Sequence, residues 1–369
     1  MRALVAAGLL LASAACSTPP PGGNAPSKAP PPQGLKVEEV ATGFEHGWDV
    51  GFRKDGSILV TERPGRLKLV KNGRVTPVDI DLTDVKAQGE GGLMGLVVHP
   101  DDQRFTVCYN TVSDVRLVTF RLDGTKATKT KDLVTGMPSN PSGRHSGCRP
   151  TLAPDGTMFV ATGDIAQGRN PQDRTSLGGK VLRIDAETGE GAKDNPFAQS
   201  ANANERRVYT YGHRNVQGVV VRPDSGQVFS SEHGPDVDDE VNLLKAGANY
   251  GWDPSRGGTQ GGYDESVPMT DLKRFPDAVP AVWSSGSPTE AICQPAFWHG
   301  KLAVTALKGA KLLLFTLDAQ GKVQNVSIPD QLDNKYGRLR AARTAPDGSL
   351  YLTTSNGSDD KLLRLTGDV

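Results

Sequence analysis

One pattern recurs six times along this chain and limits what it can fold into. An apolar strand end runs into a turn built on Asp, usually with Gly, and a second strand follows. The copies are Val50-Gly-Phe-Arg-Lys-Asp-Gly-Ser-Ile-Leu-Val, Val97-Val-His-Pro-Asp-Asp, Leu152-Ala-Pro-Asp-Gly-Thr-Met-Phe-Val, Val220-Val-Arg-Pro-Asp-Ser-Gly-Gln-Val-Phe and Arg343-Thr-Ala-Pro-Asp-Gly-Ser-Leu-Tyr-Leu, with a weaker one at Ala296-Phe-Trp-His-Gly-Lys-Leu-Ala-Val. Asp and Gly close tight turns, and the runs after them read as half-buried or buried strands. A repeat of roughly 50 residues made of short strands is the pattern of propeller blades. Six copies predict an all-β, six-bladed β-propeller. A β-sandwich with coincidental turns is the competing architecture. The ring is expected to close by pairing Leu35–Val40 with Lys361–Leu365, which removes exposed edges. The longer gaps, 165–215 and 250–290, read as insertions, which gather on one face of a repeat fold.

The blades begin only near Leu35. Residues 1–16 read as an export signal: Arg2 supplies the positive charge, and Ala3 to Ala15 is apolar but too short to span a bilayer. Ala14-Ala15 before Cys16 is the arrangement used for lipid attachment, although Ser13 stands where such signals usually carry Leu. Residues 17–34 contain seven prolines and no apolar run, so they form an extended linker rather than a core. The predicted organisation is therefore a signal (1–16), a linker (17–34) and a propeller (35–369). It implies an exported envelope protein anchored to the outer face of a membrane through Cys16, with ordinary secretion as the alternative. Export favours disulfides. Cys108 lies in an alternating run and reads as a buried thiol, whereas Cys148 and Cys293 lie in loop-like sequence and are the candidate bridge.

The 42 basic and 42 acidic residues cancel, which argues against nucleic acid as a partner. No GxGxxG, GxxxxGK[ST], GxSxG or CxxC is present, so the common nucleotide loops and a hydrolase serine elbow are excluded. The chemistry is expected on loops over the ring. Four loops put polar side chains beside glycines at one phase of the repeat: Gln88-Gly-Glu-Gly-Gly-Leu93, Gly143-Arg-His-Ser-Gly147, Tyr211-Gly-His-Arg-Asn-Val-Gln-Gly218, and Ser231-Glu-His-Gly-Pro235 with Asp238-Asp-Glu240. Such groups converging at one end of the channel would make a site.

His145 is the candidate base, since imidazole can take a proton from an alcohol near neutral pH; a turn-capping histidine is the bland alternative. His99 and His299 read as structural, and His46, His213 and His233 stay open. The acidic run Asp236–Glu240 suits either a solvated turn or calcium. Arg338 and Arg340 alternate and share a strand face. With Lys308 they suit an anionic ligand, or a surface ion-pair ladder.

Taken in order, these loops resemble the soluble quinoprotein sugar dehydrogenases, the aldose sugar dehydrogenase and glucose/sorbosone dehydrogenase family. The matching motifs are Gly-Glu-Gly-Gly-Leu-Met-Gly (89–95), His145-Ser-Gly, Thr162-Gly-Asp, Gly179-Lys-Val-Leu-Arg, Asp194-Asn-Pro-Phe, Tyr211-Gly-His-Arg-Asn, Glu232-His-Gly-Pro, Asp239-Glu-Val-Asn, Asn249-Tyr-Gly-Trp, Ala306-Leu-Lys and Arg338-Leu-Arg. They span nearly all of residues 36–366. The resemblance implies pyrroloquinoline quinone (PQQ) and calcium as cofactors, and oxidation of a sugar at C1 to its lactone, with an external electron acceptor. It implies that His145 is the base and that the Gly234 and Pro235 carbonyls hold the cofactor's calcium. Arg214, Asn215, Lys308, Arg338 and Arg340 match residues gripping the quinone. Tyr263 matches a cofactor-contacting tyrosine, and Glu240 with the Tyr250 carbonyl matches a second calcium. Two residues depart from the family pattern: Glu90 replaces a cofactor-touching glutamine, and Arg144 replaces an acidic residue of the glucose enzyme. A non-enzymatic binding propeller and a calcium-dependent hydrolase or lactonase are the competing readings.

Overall fold

The computed structural model describes residues 34–255 and 262–369. The signal, the lipid-attachment cysteine Cys16 and all but the last residue of the linker lie outside the described residues.

The recurring Asp turns have one cause. Asp55, Asp155 and Asp347 each accept the backbone N–H two residues on, at 3.0, 2.9 and 3.0 Å. The glycine between them has φ near 80° (79°, 83° and 83°), which glycine adopts without steric cost. The weak copy uses a different solution. His299 and Gly300 both have positive φ (48° and 72°) and form the two-residue turn between paired Trp298 and Lys301.

After β1 (Lys36–Phe44) the chain builds six antiparallel sheets in order. The first four are β2–β5 (Gly47–Phe52, Ile58–Glu62, Arg66–Lys71, Arg74–Pro77), β6–β9 (Leu93–Val98, Arg104–Asn110, Val115–Asp123, Lys126–Met137), β10–β13 (Arg149–Leu152, Thr157–Ala161, Lys180–Asp185, Val208–Tyr211) and β14–β17 (Val216–Val221, Val228–Glu232, Glu240–Leu244, Trp283–Ser284). The last two are β18–β21 (Ile292–Trp298, Lys301–Ala306, Lys311–Leu317, Val323–Ser327) and β22–β24 (Leu339–Thr344, Leu350–Thr354, Asp360–Thr366). Every Asp-type turn falls between the first two strands of its sheet. The first strands touch one another in sequence, β2 to β6, β10, β14, β18 and β22, and β22 returns to β2. They are nearly all buried and line the axis. The sixth blade takes its outer strand from the start of the chain: β1 pairs antiparallel with β24, Lys36 opposite Thr366. The fold is thus a six-bladed β-propeller, closed where the sequence pattern predicted.

The core sits between blades. Leu59, Leu67, Leu96 and Phe105 pack blades one and two; Phe229, Val241, Leu302 and Phe315 pack blades four and five; Ala41, Val60, Tyr351 and Leu362 pack the blades that close the ring.

Two expectations need correction. The stretch 165–215 is not one insertion, because β12 and β13 lie within it; the long loops are 162–179 and 186–207, the second ending in the short helix α1 (Ala203–Arg207). The disulfide joins Cys108 to Cys148, not Cys148 to Cys293. Cys108 on β7 of blade two faces the segment leading into β10 of blade three, a neighbourhood set by the ring. Cys293 is the free, buried thiol.

Candidate active site at one mouth of the ring

In every blade the first strand begins and the second ends at the same end of the ring, as the pairs Gly47–Glu62, Leu93–Tyr109, Arg149–Ala161, Val216–Glu232, Ile292–Ala306 and Leu339–Thr354 show. The segments before first strands carry Glu90, His145, Arg214, Asn215 and Arg338. Those after second strands carry Asp164, His233 to Pro235, and Lys308. One mouth therefore receives all the predicted loops. Beneath it lies Arg149, fully buried and donating to the Gln217 carbonyl and to Gln294 Oε1. Arg149 pairs with Asp49 at 3.0 Å and lies 4.0 Å over the Trp48 ring; Arg343 holds Asp49 from the far side at 2.8 Å.

His145 is buried, with its Nδ1 2.7 Å from Asp164 Oδ1. Asp164 also accepts from the Tyr263 hydroxyl (2.6 Å), the Trp252 indole N–H (2.9 Å) and the Ala166 N–H (2.8 Å). Burial alone would raise the Asp164 pKa. Its neighbours His145, Arg214 and Tyr263 outweigh burial and hold the carboxyl below its ordinary value. An ionised Asp164 accepts only, so His145 carries a proton on Nδ1, and Nε2 is the nitrogen that accepts from the Arg144 guanidinium, which can only donate. Burial and Asp164 push the Tyr263 hydroxyl far up, which keeps it a donor. Tyr263, Trp252 and Met269 form a small apolar cluster on the insertion between β16 and β17. Tyr263 thus reaches the site through Asp164 and lies with its ring 6.0 Å from that of His145.

The two departures from the family pattern are built into the site. Glu90 accepts from His145 N (3.2 Å) and Asn215 Nδ2 (2.9 Å). Burial opposes its ionisation, but His145, His233 and Asn215 hold its pKa below the usual value. Arg144 Nε donates to His145 Nε2 at 3.3 Å, and Arg144 pairs with Glu265 at 2.5 Å. The second oxygen of Glu265 bonds Arg214, so one carboxylate links the loop of the base to Arg214.

The cations fall on the blades across the mouth. Arg340 is buried, with its guanidinium 5.2 Å over Trp48, and Nε has no partner; Arg214 Nε is likewise buried and unpartnered. Lys308 and Arg338 are exposed at the ends of β19 and β22. Unmatched buried guanidinium N–H groups and unpaired cations fit a polycarboxylate ligand.

Gly234 is buried and Pro235 half-buried, on the turn after β15. A Cβ on Gly234 would lie 2.0 Å from the Val237 carbonyl oxygen and 2.5 Å from that of Asp238, so this turn crowds backbone oxygens, a donor set that suits calcium. Glu240 is buried beside Glu232, and burial followed by that charge pushes its pKa well above the usual range. The neighbouring Asn242 Oδ1 has no donor. A carboxylate and a free amide oxygen together fit a hard cation. The Tyr250 ring packs on His213 at 4.6 Å. Among the described residues no group of three or more His, Cys, Asp or Glu converges as a metal cluster.

The remaining histidines sort by contact. His213 is buried between Thr210 and Glu232, at 2.9 and 2.8 Å, and His99 is buried against Thr106 at 2.8 Å; both are structural. His233 faces the site, where burial pushes its pKa down to about 4. Asp164 and Trp252 stand in the sequence only as members of the Thr162-Gly-Asp and Asn249-Tyr-Gly-Trp motifs, and Glu265 and Arg63 carry no signal there.

A ring of six blades with a histidine–carboxylate dyad facing buried cations at one mouth defines a small-molecule site. The chain belongs to the Glucose / Sorbosone dehydrogenase family, whose pattern matches residues 44–364. It is 29% identical over 352 residues to the aldose sugar dehydrogenase YliI of Escherichia coli, covering 90% of this chain and 93% of that one. Two solved structures superpose on it. One is a putative oxidoreductase (glucose dehydrogenase) of Thermus thermophilus, with 36% identity, TM-score 0.77 and coverage of 90% and 100%. The other is the PQQ-bound aldose sugar dehydrogenase of Streptomyces coelicolor, with 30% identity, TM-score 0.76 and coverage of 92% and 100%.

Proposed function

We propose that this protein oxidises an aldose sugar at C1 to its lactone, using PQQ and calcium. The observation that carries the reading is the placement of the His145–Asp164 dyad at the same mouth as the unpaired guanidiniums of Arg340 and Arg338. His145 Nε2 takes the proton of the C1 hydroxyl, while Asp164 orients the ring and stabilises the imidazolium that forms. Arg214, Asn215, Lys308, Arg338 and Arg340 would hold the cofactor, the Gly234 and Pro235 carbonyls its calcium, and Glu240 with the Tyr250 carbonyl a second calcium. When bound, the quinone supplies the acceptor for the C1 hydride, with calcium polarising its oxygen. Tyr263 and Trp252 keep Asp164 fixed and shielded from water. An external acceptor then returns the enzyme to its oxidised form. The sequence before Leu35 supports export and tethering through Cys16.

The test is reconstitution. Protein supplied with PQQ and calcium should oxidise aldoses in the presence of an artificial electron acceptor. No turnover across a broad sugar panel would reject the reading. A hydrolytic activity that survives removal of the Lys308, Arg338 and Arg340 charges would replace it with the lactonase alternative.

A further inference from the structure

Arg63 follows the last residue of β3, on blade one, which adjoins the blade carrying Arg338 and Arg340. Its backbone is fixed on both sides. Its N–H donates to the His46 carbonyl at 3.1 Å, and its carbonyl accepts from Leu93 N at 3.0 Å. A Cβ on Gly92 would lie 2.2 Å from the Arg63 carbonyl oxygen and 2.9 Å from its Cγ, so the loop that carries Glu90 packs directly on Arg63. The residue is half-buried. Burial, and then the positive charges of Arg340 and Arg338, lower its pKa; Glu45 and Glu90 oppose this from beyond ion-pair distance. Among the described residues none of the three guanidiniums forms an ion pair. Like charges gathered and partly removed from water are unfavourable unless an anion joins them.

We propose that Arg63 is a third guanidinium of the cradle for the cofactor's carboxylates. The anionic end of the ligand is then gripped between blades six and one, while its reactive end faces His145 on blade three. This rests on the cofactor reading above and extends it to a residue on another blade.

The test compares wild type, Arg63→Gln and Arg63→Lys in two measurements. The first is PQQ affinity in calcium, by absorbance titration. The second is the thermal midpoint of the unliganded proteins, with and without benzene-1,2,4-tricarboxylate as a probe anion. Loss of a charge-assisted contact should weaken PQQ about tenfold or more, with R63K between R63Q and wild type. The unliganded R63Q protein should melt at or above the wild-type temperature, because a repulsion has been removed, and the probe should raise its midpoint less than it raises that of the wild type. Equal PQQ affinity in R63Q and wild type overturns the proposal. So does an R63Q protein that melts lower, which would make Arg63 a structural residue. A wild type that binds no PQQ would sink the cofactor reading instead, and the probe anion alone would then decide: an equal response of wild type and R63Q would refute the arginine cradle.

Discussion

His145 Nδ1 and Asp164 Oδ1 lie 2.7 Å apart although the two residues are nineteen positions apart in the chain. The blade-three hairpin brings them together, because β10 starts and β11 ends at the same mouth. The carboxylate holds the proton on Nδ1, which leaves Nε2, the acceptor of the Arg144 hydrogen bond, as the nitrogen that can take up a proton.

Asp164→Asn is therefore predicted to be far more harmful than its size suggests. The amide cannot accept from His145, Tyr263 and Trp252 together, and the outward nitrogen of His145 is no longer fixed as an acceptor. The turnover rate should fall by about 10²–10⁴-fold, with PQQ affinity unchanged within error. Steady-state kinetics beside a binding titration checks this; a proportionate loss of binding would mean the residue only supports the fold.

Gly143 sets the approach of the same loop. Its φ is 73°, and a Cβ there would lie 1.6 Å from the Gln88 carbonyl oxygen. Gly143→Ala forces both a left-handed alanine and a clash with the Glu90 loop. It should cost more than about 2 kcal/mol of stability and displace His145. Denaturant unfolding reads the first effect and turnover the second; wild-type values in both would remove the claim that this contact positions the base.

Lys180 is buried with Nζ donating to the carbonyls of Asn170 (2.5 Å), Pro171 (3.1 Å) and Gly178 (2.7 Å), which ties down the loop after Asp164. Burial pushes its pKa down to about 7 against the opposing pull of Asp173 and Asp164. Above pH 7 the unfolded chain binds this proton and the folded chain does not, so stability attributable to Lys180 rises with pH from about 7 toward 9.5 and is lowest below 7. The melting temperature of wild type minus that of Lys180→Met should grow across that range. A difference that stays flat or shrinks contradicts the depressed pKa.

The Cys108–Cys148 bridge closes a loop with a sequence separation of 40. Replacing both cysteines with serine should cost about 4 kcal/mol on the loop-entropy relation. Without reductant, denatured protein from Leu35 onward should show one reactive thiol, Cys293. Three thiols would contradict the bridge.

The architecture was legible because each blade repeats the same local chemistry: an Asp oxygen capping a turn, a glycine at positive φ, then an apolar strand. The closing pair, Lys36 with Thr366, followed from the need to remove an edge. The site was legible as four loops at one phase, and His145 and Arg340 do meet at one mouth. What local pattern could not carry was proximity between blades. Cys108 alternates like any core residue, and nothing near it signals that Cys148 of the next blade lies opposite. Asp164 is an ordinary loop carboxylate until the β10–β11 hairpin sets it against His145. Arg63 sits in a Glu-Arg-Pro-Gly turn with no motif of its own, and only the closed ring brings its blade against the one that carries Arg338 and Arg340.

The central claim is tested most directly by a single-turnover experiment on wild type and His145→Gln, each loaded with PQQ in calcium and mixed with an aldose without acceptor. The prediction is that both proteins bind PQQ with similar affinity, that the absorbance of the bound quinone is bleached rapidly in the wild type, and that it persists in H145Q. Bleaching of H145Q at the wild-type rate, or a wild type that binds no PQQ, would contradict the account.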